Sequence, residues 1–227
     1  MNANVIAHTV SIGNAIAWTA LYFIVCGVLP TALDIKIWRT FESKNSVWLN
    51  LLTLIIFNIV FFSYLINKYQ LRINIFTNIT VKGVLLAIGC SVLFFLLLDK
   101  FLDPLLDNIF VNSGQKYQET IELLRENPIA NFIRVCLFAP IVEEMLMRGC
   151  ILSSLQNNYD VVIALLVSSL LFAVLHFNFV QTLSAAICGL VLGMLYINTG
   201  SLFCCILAHS LYNAISYFTS VLGRSVA

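Results

Sequence analysis

Two adjacent glutamates and an arginine stand inside an apolar stretch of the chain, in the run Pro140-Ile-Val-Glu143-Glu144-Met-Leu-Met-Arg148. Charged side chains are costly in hydrocarbon and are retained only where they face protein or water and find partners. Glu144 and Arg148 are four residues apart, in the order that favours an ion pair on one helical face. Glu143 points about 100° away and has no partner in its own helix. Such an isolated carboxylate is suited to take a proton from water.

Two of the chain's three histidines lie inside further apolar stretches. His176 follows Phe172 by four residues and His209 precedes Asn213 by four, so each pair is predicted to share a helical face. A neutral imidazole can orient or deprotonate water, and an amide can donate to a developing oxyanion. Together with Glu143, these residues supply a base, a proton carrier and an oxyanion donor.

Each of these features, taken alone, has a structural explanation. A buried pair such as Glu144 and Arg148 is more often a structural pin than a catalytic pair. An intramembrane histidine or asparagine commonly bonds a neighbouring helix, and Phe172 alone is expected in core packing. The occurrence of all of them on three predicted helices favours a common site.

The elements that must position these residues are membrane spans. Hydrophobic residues make up 60% of the 227 positions and charged residues 10%, too few charges to cover a water-soluble domain. The net charge of +1 does not suggest a nucleic-acid partner. Apolar runs of about 20 residues predict an all-α, polytopic transmembrane helix bundle of about seven spans, at 9–29, 47–66, 81–98, 128–152, 161–177, 180–197 and 201–222.

One sizeable polar stretch, 99–127, separates the third span from the fourth. Tyr117, Ile121 and Leu124 fall on one helical face there, which predicts a short helix on the membrane surface; a solvated linker is the alternative. The chain thus divides into a three-span region with this segment (1–127) and a four-span catalytic core (128–227). All the buried ionisable candidates fall in the second region, so the chemistry is expected there.

Prolines and small residues refine this topology. Pro30 is expected to close the first span, and Pro140 to remove a helical hydrogen bond and bend the fourth. Ala185, Gly189 and Gly193 recur every four residues, which predicts close packing of the sixth span against a neighbour.

The chain carries three short motifs in order, each in a predicted span: Glu143-Glu144-xxx-Arg148, Phe172-xxx-His176 and His209-xxx-Asn213. This set resembles the motifs of the CPBP (Abi) intramembrane proteases, a family that includes CAAX prenyl proteases and proteins linked to bacteriocin processing and self-immunity. The resemblance covers about residues 129–220, and no motif residue departs from the family pattern.

The resemblance implies a role for each matching residue. Glu143, assisted by His176, would activate the attacking water, and His209 and Asn213 would hold the oxyanion of the tetrahedral intermediate. It also implies that the substrate is a peptide or a lipidated protein held at the membrane.

Three further motif residues would support this chemistry. Glu144 and Arg148 would orient the site or contact the substrate, and Phe172 would contact the substrate.

The same residue types could also bind a metal ion. Glu143, His176 and His209 could form a nitrogen and oxygen ligand set for zinc. There is no His-Glu-x-x-His helix, however, and the ligands would come from three separate spans. We therefore predict no metal and no other cofactor, and prefer a glutamate-activated water to zinc.

The leading hypothesis is a multi-pass endopeptidase of a bacterial cell membrane that cleaves a CAAX-type prenyl protein, a bacteriocin-like peptide or a membrane protein. The first alternative is a non-catalytic immunity or scaffold protein that binds a peptide in the same cavity. The second is a transporter or proton channel, against which stand the lack of matching ionisable residues in the first three spans and of a visible inverted repeat.

Overall fold

The computed structural model describes residues 10–41 and 43–223, and within these residues the only regular secondary structure is helical. The helices are α1 (Ile12–Thr40), α2 (Ser43–Tyr69), α3 (Val81–Ile109), α4 (Val111–Glu126), α5 (128–155), α6 (Val161–Ala173), α7 (Phe179–Thr199) and α8 (Leu202–Leu222). The predicted all-α class is confirmed for this part of the chain.

Five of the helices, α1, α2, α3, α7 and α8, are long and apolar enough to cross a membrane. The chain is therefore an integral membrane protein. Helix α5 carries four charged residues, and α6 is an apolar helix of only 13 residues. The count of seven spans stays a prediction.

Three predicted boundaries are wrong. The first helix does not close at Pro30 but continues to Thr40, and the third passes Leu98 and ends at Ile109. The fifth predicted span, 161–177, ends as a helix at Ala173. The predicted start of the first span at residue 9 lies outside the described residues.

A wide turn before each interior proline explains why the helices continue past it. Pro30, Pro104 and Pro140 each follow a π-helical stretch, at Phe23–Val28, Phe95–Leu102 and Ile133–Phe138 respectively.

In each case the residue before the proline donates its backbone N–H to the carbonyl five residues earlier, as Ala139 does to Arg134. Proline has no N–H and its ring needs room in the preceding turn. A wide turn supplies that room, so the helix widens at these points and does not end.

Small residues let α6 and α7 approach closely. A Cβ atom added to Gly189 would lie 3.0 Å from the Cα atom of Ser169 on α6, which is tighter than an ordinary van der Waals contact. One added to Gly193 would overlap a methyl group of Leu165, also on α6. Ala185 is buried on the same helix. The predicted close packing of this helix is confirmed.

The polar stretch before α5 contains the helix α4, with its apolar face turned to the protein. Ile121 and Leu124 are buried against Tyr217 and Val221 of α8. Arg125 donates to the Val221 carbonyl at 3.0 Å. The predicted helix is present, while its position relative to the membrane surface stays a prediction.

We expect Gly189→Leu to lower the stability of the protein, because its side chain would overlap the backbone of α6. Overpacking of this kind typically costs about 1–3 kcal/mol. The measurement is thermal unfolding in detergent. Gly89→Leu is the matched control, since nothing lies within 4 Å of a Cβ atom at that position. Equal unfolding temperatures for the two variants would contradict the close packing.

Candidate active site

The Glu144 carboxylate is the centre of the buried polar cluster. Its side chain is 0% exposed, and its Oε1 accepts a hydrogen bond from Arg148 Nη1 at 2.9 Å. The same oxygen lies 3.0 Å from Nδ1 of His209 on α8. The predicted pairing of Glu144 with Arg148 is confirmed. One carboxylate oxygen thereby joins α5 to α8.

Arg148 extends this connection to two more helices. Its side chain is 1% exposed, and Nη2 donates to the Gly189 carbonyl of α7 at 2.9 Å. Its guanidinium carbon lies 5.0 Å from the ring centroid of Phe172 on α6, a cation–π contact. The close approach of α7 at Gly189 thus supplies a backbone acceptor for the buried cation.

His209 is held with one ring nitrogen fixed and the other directed at Glu143. Because a carboxylate can only accept, Nδ1 carries the proton that is donated to Glu144. Nε2 then lies 4.0 Å from Oε2 of Glu143. The ring also packs against Phe172, with centroids 5.8 Å apart and planes at 86°. The imidazole is therefore oriented by its neighbours.

Glu143 differs from its neighbour Glu144 in its access to water. Its side chain is 23% exposed, and it lines a cavity that Glu144 does not reach. Its nearest ion-pairing group among the described residues is His209, on another helix. The Glu144 carboxylate is thus enclosed by protein. The Glu143 carboxylate faces the cavity, where a substrate would lie.

His176 is not on a helix. The prediction that it shares a helical face with Phe172 inside a span is wrong, because α6 ends at Ala173. The loop that follows is held by Asn178, whose side chain accepts from the first backbone N–H groups of α7. This asparagine cap is the sequence signal that could have indicated the break.

The loop nevertheless keeps His176 close to Phe172. Nδ1 lies 3.1 Å from the Phe172 carbonyl oxygen, and the two ring centroids are 5.1 Å apart. A carbonyl can only accept, so Nδ1 carries the proton and Nε2 is left as an acceptor when the ring is neutral.

Asn213 lies one turn after His209 on α8. Its side-chain amide donates to the Val135 carbonyl of α5 at 2.9 Å. Val135 falls in the π-helical stretch Ile133–Phe138, where the regular helical bonding is changed. One of the two amide hydrogens of Asn213 is engaged in this contact, and the other remains available to a ligand.

A cavity of about 460 Å³ brings most of the predicted site together. Five of the seven predicted residues line it: Glu143, Phe172, His176, His209 and Asn213. The other two, Glu144 and Arg148, lie behind this wall and do not line it.

Further lining residues were missed at the sequence level. Asp99, Asp103 and Asp107 of α3 line the cavity at every fourth position. Tyr212 donates to Asp99 at 2.7 Å, and Ser184 donates to Asp103. The expectation that all buried ionisable groups follow residue 127 is therefore wrong. Their four-residue spacing could have indicated that they share a helical face. The predicted end of the third span at Leu98 left them outside a helix.

Tyr117 of α4 also lines the cavity and closes one side of it. Burial raises the pKa of this phenol, so that it remains a neutral hydrogen-bond donor at physiological pH. Its neighbours on the same helix that line the cavity are Thr120, Ile121 and Leu124. Helix α4 thus forms a cover over part of the cavity.

No group of three or more His, Cys, Asp or Glu side chains within residues 10–41 and 43–223 is arranged to hold a metal ion.

Comparison with known proteins finds a family match in the second half of the chain. Residues 125–215 match the family model of the Rce1-like type II CAAX prenyl endopeptidases. This match confirms the predicted resemblance to the CPBP and CAAX protease family. No curated protein matches the chain significantly. No solved structure does so either. The matched segment contains every residue of the three motifs.

We expect Arg148→Met to destabilise the protein strongly, because it leaves the buried Glu144 carboxylate without its cation. Breaking a buried pair from one side typically costs about 3–5 kcal/mol. The free energy of unfolding in detergent is the measurement, and Glu144→Gln/Arg148→Met should recover part of the loss by removing both charges.

Arg39→Met is the matched control for this experiment. Arg39 pairs with Asp34 at 3.0 Å, but its side chain is 64% exposed, and exposed pairs typically contribute about 0–1 kcal/mol. Similar losses at positions 148 and 39 would contradict a central role for the buried pair.

Proposed function

We propose that this protein is an intramembrane endopeptidase that hydrolyses a peptide bond with a water molecule activated by Glu143. The observation that carries the proposal is the pairing of a cavity-facing carboxylate with an oriented imidazole, Glu143 Oε2 and His209 Nε2, 4.0 Å apart. The family match over residues 125–215 supports the same class of reaction.

In the proposed reaction, Glu143 takes a proton from water while the water oxygen attacks the carbonyl carbon of the scissile bond. The carbonyl oxygen becomes an oxyanion, to which Asn213 donates through its free amide hydrogen. His209 donates as well when Nε2 carries a proton, since its Nδ1 proton is held by Glu144. Glu143 then returns its proton to the leaving amine, and the carbon–nitrogen bond breaks.

We assign His176 to the positioning of the attacking water. Its Nδ1 is occupied by the Phe172 carbonyl at 3.1 Å, which leaves Nε2 to accept a hydrogen bond in the cavity. Phe172, which packs against both imidazoles, is assigned to the substrate contact. In this scheme Glu144 and Arg148 orient His209 and do not touch the substrate.

The substrate class that we propose is a membrane-associated peptide or lipidated protein, with a CAAX-type prenyl protein as the first candidate because of the family match. A bacteriocin-like peptide remains a further candidate from the motif resemblance. The proposed location is a bacterial cell membrane, with α5 and α6 completing a bundle of seven spans.

Glu143→Gln is expected to lower cleavage of a farnesylated peptide that ends in a CAAX motif, because the amide cannot take a proton from water. Loss of a general base typically costs about 10²–10⁴-fold in rate. The measurement is the initial rate of cleavage by purified protein in liposomes, followed by mass spectrometry of the products.

The control is Glu119→Gln, which changes an exposed carboxylate on α4 and should leave the rate unchanged. Full cleavage by Glu143→Gln would disprove the proposed role. If the wild-type protein and His176→Ala protect cells equally against a bacteriocin, the immunity alternative is favoured over catalysis.

We further propose that the reaction needs no metal ion. Cleavage by the wild-type protein should then be unaffected by a zinc chelator, because the proton transfers use carboxylate, imidazole and amide groups alone. A loss of cleavage on chelation that is restored by added Zn²⁺ would replace the glutamate mechanism with a zinc mechanism.

A further inference from the structure

Arg134 is the one lysine or arginine among the described residues that line the catalytic cavity. Apart from the histidines, the other residues of charged type in its lining are acidic: Asp99, Asp103, Asp107 and Glu143. A single guanidinium in such a cavity is the one place where an anionic group would meet a full positive charge.

The guanidinium of Arg134 has no partner that neutralises it directly. It forms no ion pair and no hydrogen bond with any described residue. Asp34 interacts with it electrostatically, but this carboxylate accepts from Arg39 at 3.0 Å. A guanidinium carries five N–H donors in a planar fork. Most of these donors are therefore available to a ligand in the cavity.

The π-helical stretch Ile133–Phe138 brings Arg134 into the catalytic cavity. Nine residues separate Arg134 from Glu143, which is two and a half turns of a regular α-helix and would place them on opposite faces. Both nevertheless line the same cavity, because the wide turn changes the helical register between them. The carbonyl of Val135, the next residue in sequence, holds Asn213, the proposed oxyanion donor.

We propose that Arg134 is the residue that binds the C-terminal carboxylate of the peptide substrate. This inference rests on the proposed protease function. The guanidinium fork matches a carboxylate through two parallel hydrogen bonds. The aspartates of α3 would repel the same carboxylate, so the two walls of the cavity fix the direction in which the peptide lies.

The spacing along α5 is compatible with a short C-terminal segment. Nine residues at about 1.5 Å each span roughly 13 Å, and an extended peptide covers about 3.3–3.6 Å per residue. The scissile bond at Glu143 would therefore lie about three to four residues from the carboxylate at Arg134.

The first test compares two forms of one peptide, the farnesylated CAAX peptide with a free C-terminal acid and the same peptide as its C-terminal amide. The liposomes contain phosphatidylcholine only, so that no anionic lipid competes. Wild-type protein should cleave the acid about 10–100-fold more efficiently in kcat/KM, which corresponds to one charge-assisted interaction. Arg134→Gln should lower the ratio of acid to amide cleavage to about one.

Two controls separate this effect from a folding defect. Arg134→Lys keeps the charge without the fork and should retain part of the preference for the acid. Arg72→Gln removes an exposed cation outside the cavity and should retain all of it. Because acid and amide are compared within one protein, a partly unfolded variant lowers both rates and leaves their ratio unchanged.

The second test measures binding without turnover. Glu143→Gln should bind the free acid at least about tenfold more tightly than the amide. The double variant Glu143→Gln/Arg134→Gln should bind both forms equally. The affinities can be measured by fluorescence anisotropy of labelled peptide.

The outcomes distinguish the two proposals. If wild-type protein cleaves acid and amide equally while Glu143→Gln cleaves neither, the role of Arg134 is wrong and the protease function stands. If no peptide is cleaved but Glu143→Gln still prefers the acid through Arg134, the anchor stands and the protease function fails. Equal binding of the two forms, or no binding of either, overturns the proposal for Arg134.

Discussion

The structure depends on one buried charge, the carboxylate of Glu144. A fully buried carboxylate is costly unless its partners are also in place, and its partners come from α5 and α8. Arg148 needs acceptors in turn and finds them in Glu144 and the Gly189 carbonyl of α7. The positions of three helices are thus coupled through two side chains. This coupling gives the imidazole of His209 a single orientation.

The proline and the wide turn of α5 change the direction in which its residues face. A regular α-helix with Glu143 facing the cavity would turn Val135 and Arg134 to other directions. The stretch Ile133–Phe138 instead presents a carbonyl to Asn213 and a guanidinium to the cavity. Pro140 favours this geometry because it supplies no N–H to the preceding turn. The irregular backbone thereby provides an acceptor for Asn213 and places a cation in the cavity wall.

The site was predictable from sequence where it depended on local spacing. Glu144 and Arg148 pair as their four-residue separation predicts, and His209 and Asn213 lie on one helix as expected. His176 was misplaced because the apolar run continues through Val174 and Leu175, and hydropathy does not distinguish a helix from a buried loop.

Other contributions depended on tertiary structure. The aspartates of α3 could not be assigned to the cavity, because their contacts are with α7 and α8, more than 80 residues away in sequence. Arg134 was not assigned to the cavity because the change of helical register cannot be found by counting residues.

The shortness of α6 has a consequence for the lipid around the protein. Thirteen residues extend about 20 Å, whereas the hydrocarbon layer is about 30 Å thick. In the proposed bundle of seven spans, the bilayer becomes thinner beside this helix, or the loop that carries His176 lies below the headgroups. Either arrangement would shorten the distance that water travels to reach Glu143, so the short helix would hydrate the proposed site by deforming the membrane.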